Sequence, residues 1–132
     1  MHVEPYLFFN GRCDEAIAFY TQALGARATF VMRYRDAPDA PPPGMLPDGF
    51  ADKVMHANLL VGDGMVMVSD GNQPGGPDFR GFALSLALAD EAAVQQAFAA
   101  LAEGGDITMP LGPTFWSPCF GMLRDRFGVG WM

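Results

Sequence analysis

Residues 3–25 read VEPYLFFNGRCDEAIAFYTQALG, and this stretch contains the order of elements that organises the whole chain. Its first part, Val3 to Phe9, is rich in β-branched and aromatic residues, and the turn-favouring pair Asn10-Gly11 ends it. From Asp14 to Leu24 the apolar residues recur at helical spacing, and Gly25 stands where a helix commonly ends. The stretch therefore predicts a β-strand followed by an amphipathic helix.

Three further strands complete the first half of the chain. They are predicted over Ala28 to Arg35, Val54 to Val61 and Met65 to Ser69. The last two flank Gly62-Asp63-Gly64, which predicts a hairpin with a three-residue connection. The segment 36–53 carries five prolines, so it is expected to be a loop.

The same order recurs after a joint rich in glycine and proline, Asn72 to Asp78. Phe82 to Leu88 predicts a strand, and Asp90 begins a predicted helix that ends at Gly104-Gly105. Three more strands are predicted, over Ile107 to Leu111, Phe120 to Asp125 and Val129 to Met132. The second half thus repeats the first in architecture, although no single offset aligns the two residue by residue.

These elements predict an α+β fold in one domain, residues 1–132, built from two βαβββ modules at about 1–71 and about 79–132. Each helix covers one face of its own strands, so the other face remains apolar and must contact something else. We expect the modules to form a curved mixed sheet around a cleft, a usual place for a small ligand.

Composition limits the classes of partner. Half of the 132 residues are apolar and 17% are charged, which favours a folded core and a homodimer interface. The net charge of -7 opposes a phosphate backbone, so nucleic acid is not an expected partner. No apolar run is long enough to span a bilayer, and Cys13 and Cys119 fit no metal spacing, so we predict a cytoplasmic protein without a membrane partner.

The chain resembles a known superfamily along nearly its whole length. The resemblance rests on Pro5-Tyr6-Leu7-Phe8-Phe9, Glu15-Ala16, Phe19-Tyr20, His56-Ala57, Phe115-Trp116, Phe120-Gly121 and Asp125-Arg126-Phe127-Gly128-Val129-Gly130-Trp131. Together these segments resemble the PhnB-like branch of the vicinal oxygen chelate superfamily, which includes glyoxalase I, extradiol dioxygenases and bleomycin resistance proteins. The resemblance implies the glyoxalase/bleomycin-resistance-like fold, and it is much less specific for activity.

In metal-dependent members of that superfamily, the ligands come from the first strand of each half and from later strands. The matching positions here hold Pro5, Phe82, either Val68 or Asp70, and Met132. Catalytic zinc, nickel or iron normally needs about three protein ligands, so we predict no metal and no cofactor. Strand alternation from Pro5 and Phe82 also places Leu7 and Leu84 in the cleft, which predicts an apolar pocket.

Proteins of the PhnB-like branch are often labelled demethylubiquinone methyltransferases. Methyl transfer from S-adenosylmethionine generally uses a glycine-rich turn after a parallel strand. Here the nearest match, Gly62-Asp63-Gly64, lies in a predicted antiparallel hairpin, so the sequence does not support that label.

Eight residues are candidates to contact a ligand in the cleft. His56 and Asn58 share the strand face opposite Met55, Ala57, Leu59 and Val61, and His56 could serve as acid, base or donor. A structural histidine is the favoured alternative, and surface ion pairs are favoured for the two arginines. The candidates are His56, Asn58, Arg33, Asp70, Phe82, Phe115, Trp116 and Arg124.

Two functions remain open. The favoured hypothesis is a protein that binds a small, largely apolar organic molecule in its cleft without a catalytic metal. The alternative is a metal-dependent lyase, isomerase or dioxygenase of the same superfamily, with a rearranged site around His56 and Asp70.

Overall fold

The structure is a computed structural model that describes residues 1–39, 42, 44–72 and 75–132. The chain divides into two compact units, Met1–Pro77 and Asp78–Met132. Both units are mixed α+β, each with one long helix and its own sheet. Within the described residues, neither helix combines the length and hydropathy that a bilayer-spanning segment needs.

The first unit has the predicted order of strand, helix and three strands. Its elements are β1 (Tyr6–Phe8), α1 (Cys13–Leu24), β2 (Arg27–Arg33), β3 (Val54–Val61) and β4 (Gly64–Ser69). The sheet order is β1-β4-β3-β2, with β1 parallel to β4 and the other pairs antiparallel. The predicted βαβββ unit is therefore confirmed for this half.

Helix α1 ends where the sequence predicts. Gly25 adopts a left-handed conformation at φ 67°, and its N–H donates to the carbonyl of Thr21. A residue without Cβ adopts this conformation at little cost, so the chain can leave the helix sharply and enter β2. The helix packs against β2 and β3 and buries Cys13, Ala16 and Tyr20.

Alternation along β3 separates two faces of the first sheet. Ala57 and Leu59 are buried on the face that α1 covers, and His56 and Asn58 lie on the opposite face. We call this second side the uncovered face; its members in register are Tyr6 and Phe8 of β1, Phe30 and Met32 of β2, His56 and Asn58 of β3, and Met67 of β4.

Several boundaries in this sheet differ from the prediction, and β1, predicted over Val3 to Phe9, spans Tyr6–Phe8. Strand β2 ends at Arg33 because the N–H of Arg33 donates to Asp36 and the chain turns through a short 3-10 helix, Tyr34–Asp36. The β3–β4 hairpin has a two-residue connection, since Gly64 already pairs with Val61. The hairpin itself is confirmed, with Gly62 at φ 57° in the turn.

The second unit contains α2 (Glu91–Ala102), β5 (Asp106–Gly112), β6 (Phe120–Arg124) and β7 (Gly130–Trp131). The three strands form an antiparallel sheet in that order. Asp90 caps α2 by accepting a hydrogen bond from the N–H of Ala93, as expected for a helix that begins there.

The predicted strand from Phe82 to Leu88 is wrong in extent. The segment makes one parallel bridge, Leu84 to Trp131, with flanking backbone hydrogen bonds from Leu84 to Gly130 and from Leu86 to Met132. Its partner β7 spans just two residues, so there is little backbone for a longer ladder. The second unit therefore keeps the order of the first, with its opening strand reduced to a bridge.

The two predicted connecting segments are described in part. In the loop 36–53, residues 40, 41 and 43 lie outside the described residues, and a short 3-10 helix, Phe50–Asp52, precedes β3. In the joint from Asn72 to Asp78, residues 73 and 74 lie outside them. The boundary between the two units falls within this joint, at Pro77 and Asp78.

Candidate functional site

A chain of three polar side chains crosses the uncovered face of the first sheet. The hydroxyl of Tyr6 lies 2.7 Å from Nδ1 of His56, and Nε2 of His56 lies 3.0 Å from Oδ1 of Asn58. Because an amide oxygen only accepts, Nε2 carries the imidazole proton and donates it to Asn58. In the neutral form of the imidazole, Nδ1 then accepts from the Tyr6 hydroxyl, so these two partners select one tautomer.

Aromatic rings surround this chain. The ring of Phe8 stacks on Tyr6 with centroids 5.0 Å apart, and the ring of Phe30 lies 6.2 Å from His56. The exposed fractions are 39% for Tyr6, 53% for Phe8 and 45% for Phe30. An apolar surface with a few convergent polar groups is the usual composition of a small-molecule site.

The Tyr6 hydroxyl, which donates to His56, stays protonated at neutral pH. Partial burial is the main cause that raises the pKa of Tyr6 above its ordinary value, because desolvation disfavours the phenolate. The Tyr6 hydroxyl therefore remains protonated and donates to His56, and its oxygen can still accept a hydrogen bond from a ligand.

Tyr6 was missed by the sequence analysis, and the cause is an error of register. Leu7 pairs with Val68, which pairs with Ala57 on the helix-covered face, so Leu7 is buried beneath α1. The prediction that Leu7 points into a cleft is wrong for this reason. Alternation along Pro5-Tyr6-Leu7 places Tyr6 on the face of His56. The signal that could have identified Tyr6 was the alternation of side chains along β1, compared with the alternation along β3 in the same sheet.

Asp70 has a role different from the one its candidate position suggested. Its carboxylate accepts three backbone hydrogen bonds, from Gly11 at 2.7 Å, Cys13 at 2.8 Å and Val54 at 2.9 Å. The residue is buried and joins the end of β4 to the first turn of α1 and the start of β3. We therefore assign Asp70 to the framework under the site.

Cys13, beside Asp70, does not offer a reactive thiolate. Burial is the main cause that raises its pKa well above the ordinary value, and the nearby Asp70 carboxylate adds to the shift. A thiol in this state stays protonated at neutral pH and behaves as a small apolar side chain.

Arg33 makes the surface ion pair that the alternative interpretation favoured. Its guanidinium donates to both carboxylate oxygens of Asp14, at 2.9 and 3.0 Å, and to the carbonyl of Asp52 at 2.8 Å. The hydrogen bonds between Arg33 and Asp14 lower the pKa of Asp14 and raise that of Arg33. The guanidinium thus links β2 to the first turn of α1.

In the second unit, Arg124 and Phe82 do not assemble a polar site. The guanidinium of Arg124 donates to the carbonyl of Gly128 at 3.0 Å and so supports the β6–β7 turn. Phe82 is half-exposed, with its ring edge-on to Phe79 at 6.4 Å.

Phe115 and Trp116 lie together at the surface of the second unit. Their rings are 4.7 Å apart and edge-on, and Phe115 is 97% exposed. Trp116 also contacts Phe120 at 5.3 Å and stands at one side of a pocket of about 520 Å3 between α2 and the second sheet. This pocket is not predicted from the sequence, although Trp116 is one of the eight candidate residues.

The positions that would hold the superfamily's metal do not fit one. Pro5 and Phe82 have no donor atom, and Met132 offers a thioether. The carboxylate of Asp70 is already engaged by three N–H groups. Within residues 1–39, 42, 44–72 and 75–132, no three or more His, Cys, Asp or Glu side chains are grouped as metal ligands.

Comparison with known proteins places the likeness along the whole chain. The family model of the Glyoxalase/Bleomycin resistance protein/Dioxygenase superfamily matches residues 2–132. Protein YjdN of Escherichia coli (strain K12) is 34% identical over 140 residues, which cover 100% of this chain and 93% of that protein.

Solved structures show the same extent of likeness. Protein PA1353 from Pseudomonas aeruginosa is 43% identical with a TM-score of 0.83, covering 100% of this chain and 95% of that one. A PhnB protein from Bacillus cereus, named as a putative 3-demethylubiquinone-9 3-methyltransferase, is 26% identical with a TM-score of 0.79, covering 99% and 96%. The PhnB-like resemblance read from the sequence is confirmed.

Proposed function

Because the chain belongs to the Glyoxalase/Bleomycin resistance protein/Dioxygenase superfamily, in its PhnB-like branch, we propose that it binds a small, largely apolar organic molecule without a catalytic metal. The binding site in this proposal is the uncovered face of the first sheet. One observation carries it: the Tyr6–His56–Asn58 chain crosses a half-exposed aromatic surface.

The arrangement favours one kind of ligand. Phe8 and Phe30 offer flat apolar contact, which favours an aromatic or ring-containing molecule. Tyr6 offers an oxygen that accepts, and Asn58 offers an amide nitrogen that donates, because its carbonyl oxygen is used by His56. A ligand with one hydroxyl or carbonyl group on an apolar skeleton suits both features.

A metal-dependent lyase, isomerase or dioxygenase around His56 and Asp70 is less well supported. Removing the Asp70 carboxylate from its three backbone donors to bind a metal would leave buried N–H groups without an acceptor, at a cost of about 1–3 kcal/mol each. The methyltransferase name of the Bacillus cereus protein also finds no support in this chain, because Gly62 lies in an antiparallel hairpin turn.

A matched pair of ligands and variants tests the proposal. Tyr6→Phe removes one hydroxyl from the site, and Tyr34→Phe is the control, since the Tyr34 hydroxyl donates to the carbonyl of Gly71. In an NMR titration, Tyr6→Phe should weaken 1-naphthol binding about fivefold and change naphthalene binding less than twofold. Equal affinities of wild type and Tyr6→Phe for 1-naphthol would contradict the site.

Metal analysis tests the other half of the proposal. Protein purified in air, without chelator, should contain no transition metal in stoichiometric amount. A bound metal that is lost in His56→Ala would overturn the metal-free proposal and favour the enzyme instead.

We also propose that the protein forms a homodimer and acts in the cytoplasm. Exposed apolar side chains, above all Phe115, support the dimer, and the free thiols of Cys13 and Cys119 support a reducing compartment. Light scattering after size exclusion should give twice the chain mass. Phe115→Ser should weaken association, whereas Met45→Ser, also at an exposed apolar residue, should not.

A further inference from the structure

We propose that the pocket between α2 and the second sheet is a separate binding site for an uncharged aromatic molecule. It lies wholly within the second unit, among residues 85–132, and shares no residue with the uncovered face of the first sheet. The proposal can therefore be tested independently of the proposed function.

The pocket has the size and walls of a ligand site. Its volume of about 520 Å3 lies within the usual range for small-molecule pockets, roughly 300–1,000 Å3. Val94, Ala97 and Phe98 of α2 form one wall. Leu123 and Trp131 line the side of the sheet, and Trp116 lines the pocket from the segment between β5 and β6. A ring system would contact aromatic groups on more than one side.

Two small residues, Ala97 and Gly121, are among those that line the pocket. Ala97 presents a single methyl group from α2, and Gly121 presents none from β6. A Cβ at Gly121 would lie 2.8 Å from the ring of Phe98 and 2.9 Å from the side chain of Leu111, so a larger residue there would displace both. The backbone of β6 thus lies close to Phe98, and Ala97 is the smallest residue that α2 contributes to the lining.

The chemistry of the walls selects for an uncharged ligand. The indole N–H of Trp131 already donates to Asp125 at 2.9 Å, so Trp131 offers apolar surface to the pocket. Among the described residues that line the pocket, the charged ones are Asp90 and Glu91, and both are acidic. An anion would meet like charge and an apolar wall, and desolvation would disfavour it further.

The two tryptophans of the chain, Trp116 and Trp131, both line this pocket, so their fluorescence reports on it directly. The probe is N-phenyl-1-naphthylamine, which is neutral and accepts excitation energy from tryptophan. The control is 8-anilino-1-naphthalenesulfonate, the same skeleton with one sulfonate. We expect the neutral probe to quench tryptophan emission and to bind about tenfold more tightly than the sulfonate.

A matched pair of variants locates the probe. Ala97→Phe fills the pocket and should weaken binding of the neutral probe more than tenfold. Ala99→Phe places the same ring on the exposed side of α2 and should leave binding within twofold. If circular dichroism shows that Ala97→Phe does not fold, Ala97→Leu decides, with an expected loss of about fivefold.

Three results would overturn the proposal. One is equal binding by the variants at residues 97 and 99. Another is a loss of probe binding in Tyr6→Phe, which would place the probe on the first sheet. The third is a dimer that dissociates in Ala97→Phe while the wild type binds no probe, which would show that a second copy fills the pocket.

Discussion

The two helices have the same length and the same place in their units, yet they pack differently. Helix α1 buries Cys13, Ala16 and Tyr20 on its sheet, whereas Leu101 alone is buried among the twelve residues of α2, all of which are described. Tyr20 is buried against the first sheet, whereas in the second unit a pocket lies between α2 and its sheet. The same order of elements therefore gives a closed core once and a cavity once.

The polar contacts at the ends of the two helices differ as well. The sheet-borne carboxylate of Asp70 binds the N–H groups that lead into α1, and Arg33 binds Asp14 in its first turn. Helix α2 is capped by Asp90, its own neighbour in sequence. The corresponding buried carboxylate of the second unit, Asp125, binds the turn that follows it and Trp131. The first helix is thus tied to its sheet at its N-terminal end, whereas α2 is held at its C-terminal end, where Arg126 of the β6–β7 turn donates to the carbonyl of Glu103.

The largest expected effect comes from removing the tie at Asp70. Asp70→Ala leaves three N–H groups buried without their acceptor and should lower the free energy of unfolding by about 4 kcal/mol, measured by urea denaturation. Asp125→Ala should cost about 3 kcal/mol, because its bonds to Phe127, Val129 and Trp131 are local in sequence and the short turn can rearrange. Asp63→Ala, in the exposed hairpin turn, is the control and should change little. A cost below 1 kcal/mol for Asp70→Ala would refute this account of α1.

Because the two helices pack differently, we expect unequal losses of stability when Tyr20 of α1 and Phe98 of α2 are each replaced by alanine. Tyr20→Ala opens a cavity in a closed core and should cost about 3 kcal/mol. Phe98→Ala enlarges a space that is already open, so it should cost about 1–2 kcal/mol. Denaturation of both variants under identical conditions tests the comparison. Equal costs would mean that the pocket is closed in solution.

Local patterns in the sequence were enough to predict the order of elements in both units. The helical spacing before Gly25, the cap at Asp90 and the glycines of the β3–β4 hairpin all act through neighbours in the chain. The strand from Phe82 to Leu88 was predicted too long because its length depends on its partner, and β7 spans two residues. Local propensity carries no information about the extent of that partner.

The candidate site was predicted in part, for a related reason. Alternation along β3 correctly paired His56 with Asn58, but the register between β1 and β4, which brings Tyr6 to His56, is a long-range property. Asp70 was recognised as a polar residue in the right region, and its three bonds depend on backbone groups far away in sequence. The pocket beside Ala97 is a gap between elements, and no single residue indicates it.

The smallest predicted effect on stability concerns the acidic residues in the first turns of the two helices. The bonds from Arg33 hold the folded pKa of Asp14 below its unfolded value, so their stabilisation is present at neutral pH and is lost as the pH falls below about 4. The Asp14 side chain is 58% exposed, and solvent screening limits the effect of Asp14→Asn to about 0.5 kcal/mol at pH 7. Glu91→Gln, in the first turn of α2, should cost less because no ion pair joins it to the described part of the second sheet. Urea denaturation at pH 7 and pH 3 checks both, and an Asp14→Asn cost that is unchanged at pH 3 would show that the ion pair does not hold α1.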